Sequence, residues 1–269
     1  IDLNPAAAHV LAVKVSIDGI ELALADYRGD VIARHIAVIA TYDAKPDGFG
    51  VMIAGEIKSF LARHKMPLRH VSRIAVAVQG AADSRSGTIM WSPAFRARNI
   101  PVVAPVQSAL GISCTIANDA NMIAEGILSD DPAKNRGTVA TIFTGYGVGM
   151  GLIIDGEVYH GATGGASEFG HMNHIPHGAP CRCGRRGCIE AYAADYGIWR
   201  EAMGSRDDSA PHEAIDSKAM ADLLRRAEAG DVKAVAAYEK AGEALGIGIA
   251  RLIAILNPDR IVIAGPGLN

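Results

Sequence analysis

The chain has 269 residues, of which 49% are hydrophobic and 20% are charged, and its formal net charge is −3. This length and composition allow one large domain or two modest ones, each with a substantial core. The slightly acidic charge gives no electrostatic footprint for nucleic acid, no apolar run has membrane-spanning length, and the first residues lack a signal-peptide pattern. We therefore expect a cytoplasmic protein without a membrane partner, and free thiols fit that reducing compartment.

The first half of the chain alternates between strand and helix patterns. Apolar periodicity predicts strands at 9–16, 20–26, 31–39, 74–78 and 113–117, and helices at 47–64, 102–110 and 118–128. Residues 74–78 form a continuous apolar run, which is typical of a buried parallel strand. Asp119 follows Asn118 where a strand gives way to a helix, and α/β folds place ligands at such junctions. Its carboxylate can serve as a general base on a hydroxyl or can simply cap the helix, and the residue alone leaves both open.

The second half repeats the order of strands and helices with additional segments. Strands are predicted at 138–143, 152–154, 158–159 and 260–264, and helices at 190–202, 217–228 and 231–256. Asp155 and Gly156 form a favoured two-residue hairpin turn. Glycine occupies every second position from 145 to 151, which either brings backbone amides to a phosphate or packs as a glycine-rich strand pair. Strands that alternate with helices indicate an α/β architecture.

The segment 161–190, which we call the metal segment, has the composition of a metal site. It holds three of the four cysteines within eight residues, at Cys181, Cys183 and Cys188. His171 lies ten positions before the first of them, and three thiols with one imidazole are a tetrahedral zinc set. The spacing C-x-C-G-x-x-G-C requires a tight loop, for which Gly184 and Gly187 permit the sharply turned backbone.

Two other interpretations of these cysteines are buried apolar side chains and a disulfide pair. A disulfide would leave one cysteine over. Burial is disfavoured because three arginines that prefer water lie between the cysteines, at Arg182, Arg185 and Arg186. Glu168 and Glu190 flank the set, so a metal would hold both carboxylates near His171, whose second ring nitrogen remains available for a partner outside the metal.

Several segments resemble the ROK family, which groups repressors, uncharacterised reading frames and sugar kinases. The matching stretches are 116–126, 144–162, 164–174, 181–193 and 242–265, and the resemblance covers nearly the whole chain from Val10. Among them, the pattern H-x9-C-x-C-G-x2-G-C-x-E is specific. The resemblance implies the actin-like ATPase (ribonuclease H-like) fold, an α/β fold of two domains with duplicated mixed sheets. We expect the domains at 1–118 and 119–269, the second with a zinc-binding insert at 161–190.

The resemblance also implies roles for individual residues. It makes His171, Cys181, Cys183 and Cys188 the ligands of a structural zinc ion. It implies contacts to sugar hydroxyls, in a pocket between the domains, for Gly80, Asn118, Asp119, Glu168, His171 and Glu190. Asp119 matches the base that deprotonates the sugar hydroxyl in the kinases of the family.

The elements that handle phosphate depart from the kinase pattern. ROK kinases carry D-x-G-G-T-K near the N-terminus, where residues 14–19 here read KVSIDG. Lys14 replaces the acidic residue, and Ser16 and Ile17 replace both glycines, so the backbone cannot approach phosphate as closely. Tyr146 stands where the kinases usually have threonine in a second phosphate loop. Residues 3–15 resemble the junction in ROK repressors between a winged helix-turn-helix and the sugar-binding body.

These features favour the effector-sensing body of a ROK transcriptional regulator. We expect it to bind a hexose or N-acetylhexosamine, to reach DNA through an N-terminal domain absent from this chain, and to form a homodimer or tetramer. The alternative is an ATP-dependent sugar kinase that uses Mg-ATP and Asp119. A third interpretation, an interaction protein without a ligand, is disfavoured because the set of Glu168, His171 and Glu190 is intact.

Overall fold

The computed structural model describes residues 4–17, 19–162, 164–165, 167–205, 209–211 and 213–266. Asp18, which belongs to the predicted phosphate motif at 14–19, lies outside the described residues. Two compact units are present, one of Ile1–Met122 with Gly161–Gly165 and one of Ile123–His160 with Ala166–Asn269. Across the described ranges, no helix is both long and apolar enough to cross a membrane.

The first unit is built on a five-stranded mixed sheet. Its elements are β1 (His9–Ser16), β2 (Gly19–Asp26), β3 (Val31–Val38), α1 (Pro46–Arg63), β4 (Val71–Val78), β5 (Ala81–Asp83), β6 (Thr88–Trp91), β7 (Ile100–Pro101), α2 (Val103–Leu110) and β8 (Cys114–Asn118). Strands β1, β4 and β8 are parallel, while β2 and β3 are added antiparallel, so the order is β3-β2-β1-β4-β8. The parallel strand predicted at 74–78 is therefore confirmed. Strands β5 to β7 form a small antiparallel sheet that the sequence patterns did not predict.

Alternation along β1 and the apolar stripe of α1 form the core of this unit. Leu11, Val13 and Val15 are buried in β1, and α1 buries an apolar stripe made of Phe49, Ile53, Ile57, Phe60 and Leu61. Burying each such large side chain stabilises the fold by about 1.5–3 kcal/mol. The carboxyl ends of β4 and β8, which carry Gly80 and Asn118, are thereby fixed next to each other.

The next helix, α3 (Asp119–Asp130), contains the boundary between the two units. The division expected from the sequence, between residues 118 and 119, falls at the junction of β8 and α3 and stays a prediction about the domains. The elements that follow are β9 (Val139–Thr144), β10 (Val148–Ile154), β11 (Glu157–Val158), α4 (Glu190–Ala193), α5 (Asp195–Met203), α6 (Ser217–Glu228), α7 (Val232–Leu256) and β12 (Arg260–Ala264).

The sheet of the second unit repeats the order of the first. Its order is β11-β10-β9-β12, with β12 parallel to β9 and the other neighbours antiparallel. This order corresponds to β3-β2-β1-β4 of the first unit, so the mixed topology is duplicated and the fold is α/β and actin-like. The predicted hairpin turn is confirmed, because Asp155 and Gly156 have φ angles of 54° and 79°, as the favoured two-residue turn requires.

The single helix predicted at 190–202 is wrong, since α4 ends at Ala193 and α5 begins at Asp195. A continuous helix would have a backbone hydrogen bond from Asp195 N–H to the Ala191 carbonyl. Here the donor and the acceptor each have a different partner. Asp195 N–H donates to the Gly145 carbonyl at 2.8 Å, and the Ala191 carbonyl accepts from the guanidinium of Arg200. Partners distant in sequence thus break the helix.

Candidate functional site

The four predicted metal ligands lie together in the second unit. The ligand atoms of His171, Cys181, Cys183 and Cys188 are all within 4.8 Å of one another. The sulfurs of Cys183 and Cys188 are 3.8 Å apart, and Nδ1 of His171 lies 3.6 Å from the sulfur of Cys181. A tetrahedral zinc ion, with Zn–S near 2.3 Å and Zn–N near 2.0 Å, spaces its ligand atoms about 3.6–3.8 Å apart. The donor set and these two distances therefore fit zinc.

The backbone of the metal loop, which we define as residues 181–188, is set by short hydrogen bonds. Cys181 donates its N–H to the Arg185 carbonyl at 2.9 Å, and its own carbonyl accepts from Gly184 N–H at 3.0 Å. Gly187 has φ of 78°, and a Cβ there would lie 1.7 Å from the Ile175 carbonyl oxygen. A glycine is therefore required at 187, because a side chain would collide with the neighbouring backbone.

His171 presents its two ring nitrogens to different partners. Nδ1 faces Cys181, while Nε2 lies 3.6 Å from a carboxylate oxygen of Glu168. Burial opposes charge on this ring, but hydrogen bonds that the protonated ring donates to Cys181 and Cys183, together with the Glu190 carboxylate, raise its pKa to about 11. A metal ion must replace that proton, and Glu168 then holds the orientation of the ring from outside the metal.

Glu190, a predicted sugar contact, is buried and bound within the protein. One carboxylate oxygen accepts the Val148 N–H at 3.2 Å. The other lies 3.4 Å from the Tyr196 hydroxyl and 3.5 Å from the Cys181 sulfur. A carboxylate oxygen has two lone pairs, so these contacts leave acceptor capacity for a ligand hydroxyl.

The expectation that the arginines of the metal loop are hydrated is wrong for Arg182, which is only 9% exposed. Its guanidinium donates to the carbonyls of Pro211 at 2.7 Å, Tyr146 at 2.6 Å and Glu213 at 2.9 Å. It also lies 3.8 Å from the ring centre of Tyr146 and 4.2 Å from that of Tyr196. A buried guanidinium is tolerated when its N–H groups are paired, and here three distant carbonyls pair them.

The argument against burial of the cysteines fails with it, because Cys181 and Cys188 are also buried. A metal cluster and burial are compatible, since the ligands need only one another and the ion. The described cysteines are all free thiols, so the disulfide interpretation has no support in the structure.

In the first unit, Gly80 and Asn118 are joined directly. The Asn118 amide donates to the Gly80 carbonyl at 2.6 Å, and its oxygen accepts from the N–H groups of Ala120 at 2.8 Å and Asn121 at 3.3 Å. Asn118 is therefore the residue that caps α3. Asp119 accepts from Ala120 N–H at 3.0 Å with one carboxylate oxygen.

Sequence reasoning missed three residues around these sets. Arg182 and Tyr196 contact the metal segment through partners that no local pattern indicates. Asn121, in the first turn of α3, is 1% exposed, and neither polar atom of its amide has a hydrogen-bond partner among the described residues. Buried amides are normally paired with protein, water or ligand, so burial of a polar residue beside Asp119 is the signal that identifies it.

The end of β1, where the chain departs from the kinase motif, is contacted by the side chain of Thr41. Lys14 is exposed on β1 and lies opposite Glu21. The Thr41 hydroxyl lies 3.1 Å from the Ser16 carbonyl and 3.3 Å from the Ile17 carbonyl, and it donates toward them. The backbone at 16 and 17 therefore presents carbonyls that are already paired with this hydroxyl.

The six predicted sugar contacts divide between the units. Gly80, Asn118 and Asp119 belong to the first unit, and Glu168, His171 and Glu190 belong to the second. Within each unit the structure brings members of the set together, through the Asn118–Gly80 hydrogen bond and the Glu168–His171 contact. Their role in binding sugar stays a prediction.

Comparison with known proteins identifies the family of this chain. The family model described as the ROK family matches residues 10–268. A xylose repressor of Caldicellulosiruptor bescii is 26% identical over 271 residues, which cover 98% of this chain and 67% of the repressor. A glucokinase of Halalkalibacterium halodurans is 31% identical over 234 residues, which cover 82% of this chain and 70% of the kinase.

Among solved structures, a ROK family transcriptional regulator described as a homologue of the E. coli MLC protein is similar over nearly the whole of this chain. It superposes with a TM-score of 0.80 at 25% identity, covering 97% of this chain and 66% of that chain. The chain thus spans about two thirds of the length of the repressor and regulator that it matches. On the match over 10–268 and the duplicated topology, this chain belongs to the ROK family.

Proposed function

We propose that this chain is the sugar-sensing body of a ROK transcriptional regulator, with a hexose or N-acetylhexosamine as its ligand. The observation that carries the proposal is the sequence at the end of β1 and in the turn that leads to β2. Lys14, Ser16 and Ile17 stand where the kinases of the family have an acidic residue and two glycines. Side chains at these positions keep a nucleotide phosphate away from the backbone.

Phosphoryl transfer depends mainly on positioning and on neutralising the phosphates with metal ions and backbone donors. In the glycine-rich segment of this chain, the Val148 N–H already donates to Glu190, so this backbone donor is used within the protein. This observation supports a protein that binds sugar without transferring phosphate to it.

The proposed sugar contacts are those expected from the sequence: Gly80, Asn118, Asp119, Glu168, His171 and Glu190. Carboxylates and amides suit adjacent sugar hydroxyls, because each oxygen can accept from more than one donor. A structural zinc ion on His171, Cys181, Cys183 and Cys188 would hold the carboxylates in place, since Glu168 contacts the imidazole and Glu190 follows Cys188 by two residues.

We further propose that an N-terminal domain outside this chain contacts DNA, and that the protein acts as a homodimer or tetramer in the cytoplasm. The repressor and regulator relatives support the contact with DNA. A sugar that binds one arrangement of the dimer more tightly than another would shift the population between them and so change DNA binding.

A sugar kinase that uses Mg-ATP is the second candidate. The relative with 31% identity is a glucokinase, and Asp119 lies at a strand-to-helix junction, where a kinase needs its general base. Lys14 also offers a positive charge that can contact phosphate directly.

Calorimetry against a panel of hexoses and N-acetylhexosamines, followed by coupled ADP-release assays with Mg-ATP and each sugar that binds, separates the two candidates. We expect binding without turnover. A turnover of about 1 s⁻¹, in the ordinary enzyme range, that is abolished in Asp119→Asn would establish the kinase. Failure of every sugar to bind, with zinc present and the protein folded, would contradict both.

A further inference from the structure

Arg182 connects two parts of the second unit that are far apart in the sequence, the metal loop and residues 145–147. It lies in the metal loop between two predicted ligands, Cys181 and Cys183. Its guanidinium contacts Tyr146 in the glycine loop, which we define as residues 145–147 between β9 and β10. The carbonyl of Tyr146 accepts a hydrogen bond from it, and the ring of Tyr146 lies 3.8 Å from its centre.

The guanidinium belongs to a side chain that is only 9% exposed. Two further donors are used by the carbonyls of Pro211 and Glu213, and the ring of Tyr196 lies 4.2 Å away on α5. Three charge-assisted hydrogen bonds and two cation–π contacts in a buried setting are each stronger than their exposed counterparts. Arg182 therefore holds the glycine loop to the metal loop and to the connection between α5 and α6.

The glycine loop makes a second contact with the same segment through Glu190. Glu190 accepts the N–H of Val148, directly after the loop, and its carboxylate lies so close to Gly147 that a Cβ there would be 2.9 Å from the oxygen. The Gly145 carbonyl accepts from Asp195 N–H at 2.8 Å. The loop is thus held from Arg182 on one side and from α4 and α5 on the other.

A metal ion would fix the backbone of Arg182 from both sides, because both neighbours in the chain, Cys181 and Cys183, belong to the ligand set. Without the ion, the metal loop is held by its own backbone hydrogen bonds, by those that Gly187 makes with Ala179 and His174, and by the bonds of Arg182 itself. The position from which Arg182 reaches Tyr146 is then fixed by fewer bonds. We infer that Arg182 is a positioning residue that couples occupancy of the metal centre to the conformation of the glycine loop. This inference rests on the proposed zinc ion, but it does not depend on a sugar or on DNA.

The experiment is hydrogen exchange of the backbone amides of Gly145 and Val148, whose N–H groups are bonded to Gly147 and Glu190. The full chain is compared as the zinc-loaded wild type, the chelator-treated wild type, Arg182→Ala and Arg182→Lys. Zinc content is measured for each sample, and the amides of α7 report whether the unit stays folded.

Arg186→Ala is the matched control. Arg186 is an exposed arginine of the same loop whose Nε donates to the Gly178 carbonyl at 3.0 Å, within the metal segment. Its loss should leave exchange in the glycine loop unchanged. If it accelerates exchange as much as Arg182→Ala does, the effect belongs to the metal loop in general and the inference about Arg182 is wrong.

In Arg182→Ala with zinc bound, we expect the two amides to exchange at least about tenfold faster while α7 is unchanged, because hydrogen bonds to a charged donor are lost. Arg182→Lys should give an intermediate effect, since one ammonium cannot reach all three carbonyls, which lie on two separate segments. Removal of zinc from the wild type with a chelator should accelerate hydrogen exchange of the same amides. If Arg182→Ala does not fold, this measurement tests the coupling between the metal centre and the glycine loop by itself. The inference would be overturned if the Gly145 and Val148 amides of the zinc-bound Arg182 variants exchanged at wild-type rates. It would also be overturned if chelation accelerated exchange of the α7 amides as much as that of these two amides.

Discussion

The carboxylate of Glu190 accepts a hydrogen bond from the backbone N–H of Val148 at 3.2 Å. This bond joins the start of α4, two residues after Cys188, to the first residue of β10. A residue that the family resemblance assigns to sugar binding is therefore also a structural link between the metal segment and the sheet. Substitutions at Glu190 must be chosen to separate these two roles.

Glu190→Gln should separate them, because glutamine keeps an oxygen for Val148 N–H but loses the charge. We expect sugar affinity to fall about tenfold or more, since a bound hydroxyl left with a poorer partner costs about 1–3 kcal/mol. Glu168→Gln should act similarly, and calorimetry measures both. The control is Glu228→Gln, an exposed carboxylate at the end of α6. Unchanged affinity in both site variants would place the sugar elsewhere.

Purified protein should contain about one zinc ion per chain, because the ligand atoms of three thiols and one imidazole lie within 4.8 Å of one another. Cys188→Ser should lose the metal, and elemental analysis measures it. Cys114→Ser is the matched control, since Cys114 is a buried thiol on β8 outside the cluster, where burial raises its pKa to about 11. A metal-free wild type that is fully folded and still binds sugar would contradict a structural role for zinc.

The metal loop should tolerate a side chain at Gly184 but not at Gly187. Both have positive φ, at 86° and 78°, so alanine at either costs backbone strain of about 1–3 kcal/mol. Nothing lies within 4 Å of a Cβ at Gly184, whereas at Gly187 it would be 1.7 Å from the Ile175 carbonyl oxygen. We expect Gly187→Ala to lower both zinc content and the free energy of unfolding more than Gly184→Ala does. Equal effects in denaturant titrations would show that the loop adjusts around residue 187.

Features with local causes could be predicted from the sequence. Strands β1 and β2 follow from strict alternation, and the metal set follows from spacing within one short segment. The break at Ala194 could not be predicted, because it depends on Asp195 donating to Gly145 and on Arg200 donating to Ala191. The burial of Arg182 could not be predicted for the same reason, since its three carbonyl partners lie in other segments of the chain. Hydrophobic pattern indicates which elements exist, but not which distant groups satisfy their polar atoms.

The turn between β1 and β2 gives the last prediction. If side chains at 16 and 17 and the charge of Lys14 exclude nucleotide, the variant Lys14→Asp/Ser16→Gly/Ile17→Gly should bind Mg-ATP more tightly than the wild type does. Each new glycine costs about 0.5–1 kcal/mol of stability in a strand or turn, so the free energy of unfolding should fall by about 1–2 kcal/mol.

The matched control is Lys14→Asp alone, which restores the acidic residue while Ser16 and Ile17 remain. Calorimetry with Mg-ATP compares the three proteins, and unfolding measurements confirm that each is folded. Tighter binding in the triple variant than in the single variant assigns the exclusion to the missing glycines. Equal nucleotide affinity in all three would remove the main support for the regulator, because the turn would then play no part in keeping phosphate out.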